Sequence, residues 1–339
     1  MSTRIEWTDE TWNPTVGCSI VSPGCTNCYA MKMAHRVGPN FPHYAGLTRM
    51  TKGGPVWTGN VSTAPDRAFL KPLRWRDPRR IFVNSMSDLF HEGIADEIVD
   101  RVFAVIALAP HHTYQILTKR AERMHVYMTA PDRREKIMAA AVNIQAQGRK
   151  RLPDYARSTM ITAMAWPLPN VWLGVSAEDQ SRANERIPLL LETPAAVRWV
   201  SAEPLLGRLV LDGRNMTGDE TYWDFLRGER GASVQHVAIQ PEETARLSWV
   251  VAGGESGPGS RPAHPDWFRS LRNQCAAAGV PFFFKQWGDW GPAELIHDIE
   301  GNRFREMEEY VEPTNGMYRL GKRAAGNLLD GAKHEAWPA

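Results

Sequence analysis

Three of the chain's four cysteines, Cys18, Cys25 and Cys28, fall within eleven residues with the spacing C-x6-C-x2-C. Thiolates this dense are soft ligands, suited to zinc or to an iron–sulfur cluster. Between the first two, Pro23-Gly24 supplies a turn that can bring Cys25 back towards Cys18. A closed structural zinc site takes four ligands, and His35 is the nearest candidate for the fourth. Most iron–sulfur clusters also take four cysteines. Three thiolates on a [4Fe–4S] cluster leave one iron open to a substrate or cofactor. The fourth cysteine, Cys275, lies at i+4 from Leu271 beside Trp267 and Phe268. That spacing reads as helix core rather than as a ligand.

A site of this kind needs a scaffold. Six short apolar runs each end abruptly in polar residues. Residues 80–83 end in Asn84, Ser85 and Asp88. Residues 113–117 end in Thr118, Lys119 and Arg120. Residues 171–175 end in Ser176, Glu178 and Asp179. Residues 197–200 end in Ser201, Glu203 and Pro204, and residues 249–252 end in Gly253, Gly254, Glu255 and Ser256. Residues 281–284 end in Lys285, Gln286 and Trp287. The runs are too short for helices and rich in β-branched and aromatic residues, so they predict buried strands. A seventh strand is expected within Thr11–Val16, where Pro14 weakens the pattern. Helical spacing predicts helices over 94–108, 179–191 and 266–278, the last stopped by Gly279. Strands alternating with helices imply a parallel sheet.

The expected fold class is therefore α/β, an open or partial (β/α) barrel of six to seven parallel strands in one domain over residues 1–339. A doubly wound open sheet is the competing topology. Residues 38–80 and 207–247 read as loop insertions, and 119–157 as a basic helical insertion.

In either topology chemistry sits at the carboxyl ends of the strands. Ser85 and Asp88, Ser176 and Glu178, and Ser201 and Glu203 are hydrogen-bonding candidates there. Gly253 and Gly254 let backbone approach a ligand closely. Lys119, Arg120 and Lys285 are candidate partners for a carboxylate or phosphate. Glu203 and Glu255 also admit a second enzyme class, a cluster-free hydrolase with a pair of carboxylates for acid–base work. A zinc-bearing nucleic-acid-binding protein without catalysis is a third reading. The thirteen tryptophans, Trp7, Trp12, Trp287 and Trp290 among them, read first as core or lid packing and second as a wall around a cluster or a platform for bases.

The cysteine trio near the N-terminus, followed by the strands of a parallel barrel, resembles the radical S-adenosylmethionine (SAM) superfamily. That superfamily carries a shorter first gap and an aromatic residue before the third cysteine, where this chain has Asn27, with Tyr29 after the cysteine. The resemblance implies a [4Fe–4S] cluster on Cys18, Cys25 and Cys28, with SAM on the open iron. It implies contacts to SAM from the second strand end, Ser85 and Asp88, and from Ser176 and Glu178. Over most of its length the chain is more closely similar to a family of phage and bacterial three-Cys-motif proteins of unassigned function. The matching segments are Glu6-Trp7-Thr8, Thr11-Trp12-Asn13-Pro14, Gly17-Cys18, Ser22-Pro23-Gly24-Cys25, Cys28-Tyr29-Ala30, Leu117-Thr118-Lys119-Arg120, Gly253-Gly254-Glu255-Ser256-Gly257 and Phe284-Lys285-Gln286-Trp287-Gly288. This likeness implies a separately encoded partner protein in some members. A distant likeness to spore photoproduct lyases points to nucleic acid as substrate.

The bulk composition is that of an ordinary globular chain of 339 residues, 43% hydrophobic and 23% charged, with a formal net charge of +2. Residues 119–157 hold ten Lys/Arg against four Asp/Glu. Such a stretch reads first as a solvated helical face and second as a phosphate-contacting surface, with Arg149, Lys150 and Arg151 at its centre. No apolar run approaches the ~20 residues that span a bilayer, and the N-terminus shows no apolar signal segment. A cytoplasmic location is expected.

Overall fold

The computed structural model describes residues 3, 5–148, 152–159, 164–216, 221–234, 237–238, 242–296 and 316–338. All six expected strands form, as does the seventh. They are β1 (Glu10–Trp12), β2 (Arg80–Val83), β3 (Thr113–Thr118), β4 (Val171–Ser176), β5 (Val197–Ala202), β6 (Trp249–Gly253) and β7 (Phe282–Gln286). β1 ends before Pro14, which could not donate to a ladder. Asn13 ends the strand with its side chain: Oδ1 accepts from Met86 N at 3.0 Å and from Ser85 Oγ at 3.1 Å.

The chain divides into two compact units. One comprises Met1–Ser22, Cys28–Val175 and Glu192–Val197; the other comprises Pro23–Asn27, Ser176–Leu191 and Arg198–Ala339. In the first unit β1 pairs with β2, β2 with β3 and β3 with β4, all parallel. In the second, β5 pairs with β6 and β6 with β7, again parallel. The seven strands follow one another in sheet order, each beside its predecessor in the chain, with β1 and β7 as open edges. A doubly wound sheet reverses its order at a switch point. This one does not, so the fold is the open α/β barrel class, with helices in the crossovers except that from β5 to β6, whose described elements are strands.

The helices follow their sequence signals. α1 spans Tyr29–Val37 and begins directly after Cys28. α2 spans Asp96–Leu108, with two acids in its first turn, where the helix dipole favours them. α3 (Ala121–Thr129), α4 (Arg133–Gly148) and α5 (Asp154–Ser158) make up the basic stretch. α6 spans Gln180–Leu191, and α7 spans Pro265–Ala278 with Pro265 at its first turn and Gly279 at φ 65° after its last. Cys275 is fully buried on α7, as its spacing predicts. Among the described residues no helix is long and apolar enough to cross a membrane.

Two segments are more ordered than plain loops. Within 38–80 a hairpin pairs Thr48–Thr51 with Gly54–Trp57, and Ser62–Thr63 pairs with Thr15–Val16. Within 207–247 the strands Asp212–Met216, Thr221–Asp224 and Glu229–Val234 form an antiparallel sheet. Glycines interrupt the alternation in both places, so the period-2 pattern is hidden in the sequence.

The basic stretch is helical, but part of its charge turns inward. Arg133 donates to Asp100 Oδ1 at 2.7 Å and Asp96 Oδ2 at 2.8 Å, and its guanidinium lies 3.8 Å from the Tyr127 ring centre. Arg123 donates to the carbonyls of His91 and Ile94. Arg149, Lys150 and Arg151 lie outside the described residues.

Gly17 shows how tightly the entry to the cysteine segment is held. It has φ 92°, and a Cβ there would stand 2.3 Å from Asn60 O. Gly17→Ala is expected to cost at least ~1–3 kcal/mol, read as a lowered urea midpoint at unchanged m-value.

Candidate functional site

In the first unit, Cys18 and Cys28 pack against the same apolar cluster, formed by Val16, Ala30, Met31, Ala34, Leu47, Trp57 and Met86. Burial pushes the Cys18 thiol up to about 12, assisted by the Asp88 carboxylate and opposed by the Arg120 guanidinium. Arg120 comes from the end of β3. Its Nη1 donates to Cys18 Sγ at 3.7 Å and its Nη2 to Ser19 Oγ at 2.7 Å. Asp88, past the end of β2, fixes the arginine: its Oδ2 lies 3.1 Å from Nη1. The same carboxylate accepts from Thr118 Oγ1 at 2.7 Å, Lys119 N at 2.9 Å and Phe90 N at 3.0 Å. Glu92 caps Arg120 Nε from the solvent side, 2.9 Å away. His91 Nε2 meets Ser19 Oγ at 3.1 Å.

In the second unit, the segment Pro23–Asn27, which carries Cys25, is held by two further strand ends. Glu178, after β4, is wholly buried, and its Oε1 accepts from Gly24 N at 3.2 Å. Its counter-charge is Arg186 of α6, 3.1 Å away and 2% exposed, which also donates to Ser176 O. Glu255, after β6, accepts from Asn27 Nδ2 at 3.0 Å and is gripped by Arg261, with contacts of 2.6 and 2.9 Å. Arg261 also donates to Pro23 O at 3.0 Å. Burial pushes the Glu255 carboxyl up, but its bonds to Arg261 and Asn27 outweigh that and hold it below its ordinary range.

Other predicted residues have partners of their own. Ser85 O accepts from Tyr29 Oη at 2.9 Å. Ser201 is buried, and its carbonyl accepts from Ala177 N. Glu203 and Lys285 form their own pair at 2.6 Å. Gly253 lies close to that pair, since a Cβ on it would come 3.3 Å from the Glu203 carboxyl carbon. Gly254 packs on backbone, where a Cβ would stand 1.8 Å from Trp287 O. Trp7, Trp12 and Trp287 are core residues. His35 is exposed, with Nδ1 3.2 Å from Thr48 Oγ1.

The sequence reading did not single out Arg186, Arg261 or Ser19, and read Asn27 only as a departure from a motif. Arg186 carried a signal, eight residues after Glu178 on the following helix. Arg261 carried none, because nothing local ties it to Pro23.

A model of the DUF5131 family, described as proteins of unknown function, matches residues 2–338. The chain belongs to this family. A separate match, 49% identical over 41 residues, is to protein archease of Pyrococcus abyssi and covers 12% of this chain. The chain spans 29% of that relative's length. No solved structure matches.

The cysteines suit a thiolate-ligated cluster by their chemistry. None is in a disulfide, two share an apolar bed, and a buried guanidinium faces one sulfur. Among the described residues, no three His, Cys, Asp or Glu side chains already stand grouped as a metal site.

Two outcomes follow from the carboxylate anchors. Arg186→Met strips buried Glu178 of its counter-charge and should cost ~3–5 kcal/mol in chemical denaturation, with faster hydrogen exchange at the Gly24 amide. For Glu255, the depressed folded-state pKa means its contribution is complete above the ordinary glutamate value near 4.5 and disappears as pH falls through the lower folded value. The urea midpoints of the unmodified protein and Glu255→Gln should therefore differ at neutral pH and converge in acid.

Proposed function

We propose that this chain is a radical SAM-type enzyme whose [4Fe–4S] cluster is held by Cys18, Cys25 and Cys28. The observation that supports the reading is that strand-end side chains are spent on the residues around the cysteines: in the first unit Arg120, with Asp88, on Cys18 and Ser19, and in the second Glu178 on Gly24 and Glu255 on Asn27. Buried charge committed to the neighbours of the cysteines supports a role for the thiols as ligands. When bound to Cys18, Cys25 and Cys28, such a cluster would supply the electron for reductive cleavage of SAM.

The chain's own residues have distinct parts in this reading. Asp88, Glu178 and Glu255 orient the cysteine segment, so their carboxylates are already occupied. Ser85, Ser176 and Ser201 are the proposed hydrogen-bonding groups for SAM and Gly253 the proposed close-approach backbone, while Gly254 is taken up by Trp287 and Gln286. Lys119 and Lys285, the latter shared with Glu203, are the cations for the SAM carboxylate or a substrate phosphate. A general acid at neutral pH needs a raised pKa. Glu255 is held ionised instead, and Glu203 has a lysine partner. The two-carboxylate hydrolase is thereby disfavoured. The substrate class proposed is nucleic acid or nucleotide, on the likeness to spore photoproduct lyases, with a separately encoded partner protein. The proposed setting is the cytoplasm, where thiols stay reduced.

Anaerobic reconstitution with iron and sulfide should give a brown protein. Cys18→Ala, Cys25→Ala and Cys28→Ala should each lose the iron, while Cys275→Ala keeps it. SAM should alter the electron paramagnetic resonance spectrum of the reduced protein, and dithionite should then release 5′-deoxyadenosine. A colourless protein with stoichiometric zinc, or an intact cluster indifferent to SAM, would refute the reading.

A further inference from the structure

Arg120 does more in the cysteine site than neutralise Asp88. Arg120 neutralises buried Asp88, which also accepts from Thr118 Oγ1, Lys119 N and Phe90 N, but its fork reaches past that carboxylate. The arginine is drawn out of water to 7% exposure and presents separate nitrogens to Cys18 Sγ and Ser19 Oγ. Its charge thus sits 3.7 Å from one of the proposed cluster ligands, partly offset by buried Asp88 at 3.1 Å and by the more exposed Glu92 at 2.9 Å. Iron–sulfur potentials respond to net charge and to hydrogen bonds on the sulfurs. A cation at this distance in a desolvated setting favours the more negative, reduced state.

We infer that Arg120 is a positioning residue that raises the reduction potential of the cluster held by Cys18, Cys25 and Cys28, and that Asp88 sets how much of its charge the cluster feels. This rests on the cluster reading above. The pair works as a graded charge: removing the arginine makes the cluster harder to reduce, and removing the carboxylate's charge makes it easier. A purely structural pair would not shift the potential in opposite directions.

The test is a dithionite titration of the reconstituted, full-length protein against redox mediators, followed by electron paramagnetic resonance, with iron and sulfide counted for every variant. Arg120→Met should lower the ratio of reduced to oxidised cluster about tenfold at a given potential, which is ~59 mV for a one-electron couple. Arg120→Lys, which keeps the charge and loses the fork, should stay within about threefold of the unmodified protein. Asp88→Asn should shift the ratio the other way. If Arg120→Met fails to retain iron, the lysine and asparagine variants decide: an unshifted or downward-shifted Asp88→Asn overturns the inference. Fully loaded variants that all share the unmodified potential also overturn it, while leaving the cluster reading intact. An unmodified protein that takes up no iron and sulfide overturns both.

Discussion

Three carboxylates at strand ends, Asp88, Glu178 and Glu255, are removed from water, and each is met by an arginine, Arg120, Arg186 and Arg261. A carboxylate taken out of water costs several kcal/mol unless a counter-charge and further hydrogen bonds replace its hydration. Each of these groups completes its set within the cysteine segment or through its arginine: Gly24 N for Glu178, Asn27 Nδ2 for Glu255, and Ser19 and Cys18 through Arg120. The segment is therefore held by charge-assisted bonds whose loss would strand a buried ion, a stronger hold than a surface loop usually has.

Within each unit the fold explains why strand-end acids meet neighbouring turns. Parallel strands bring all their carboxyl ends to one side, and sequential winding delivers a new polar strand end with each crossover. β1 ends just before the cysteine segment, so that segment leaves the sheet at the same edge. Backbone details tighten the arrangement. Gly17 turns the chain where a side chain would strike Asn60, and Gly254 lets β6 pass against Trp287. These glycines need no ligand to explain them, since close backbone approach accounts for each.

The same accounting changes how the basic stretch is read. As a string of letters it offers ten cations to solvent or to phosphate. In space Arg120, Arg123 and Arg133 are committed to Asp88, Asp96, Asp100 and backbone carbonyls. An arginine whose acid lies some 30 residues away looks unpaired in any local window, which is why charge counts overstate the exposed field.

The sequence by itself determined the seven parallel strands, the main helices between them, the clustering of polar residues at the strand ends and the spacing of the three thiols. These are local properties: a short β-branched run, a helical period or a C-x2-C spacing is complete within a few residues. Sheet order was decided only by tertiary structure, because periodicity cannot say which strand lies beside which. So were the jobs of the strand-end acids. Glu178, Glu255 and Asp88 read as ligands for a small molecule until their partners are known, and those partners, Gly24, Asn27 and Arg120, stand 154, 228 and 32 residues away. A carboxylate's function follows from what replaces its water, and that replacement comes from distant chain that only folding brings near.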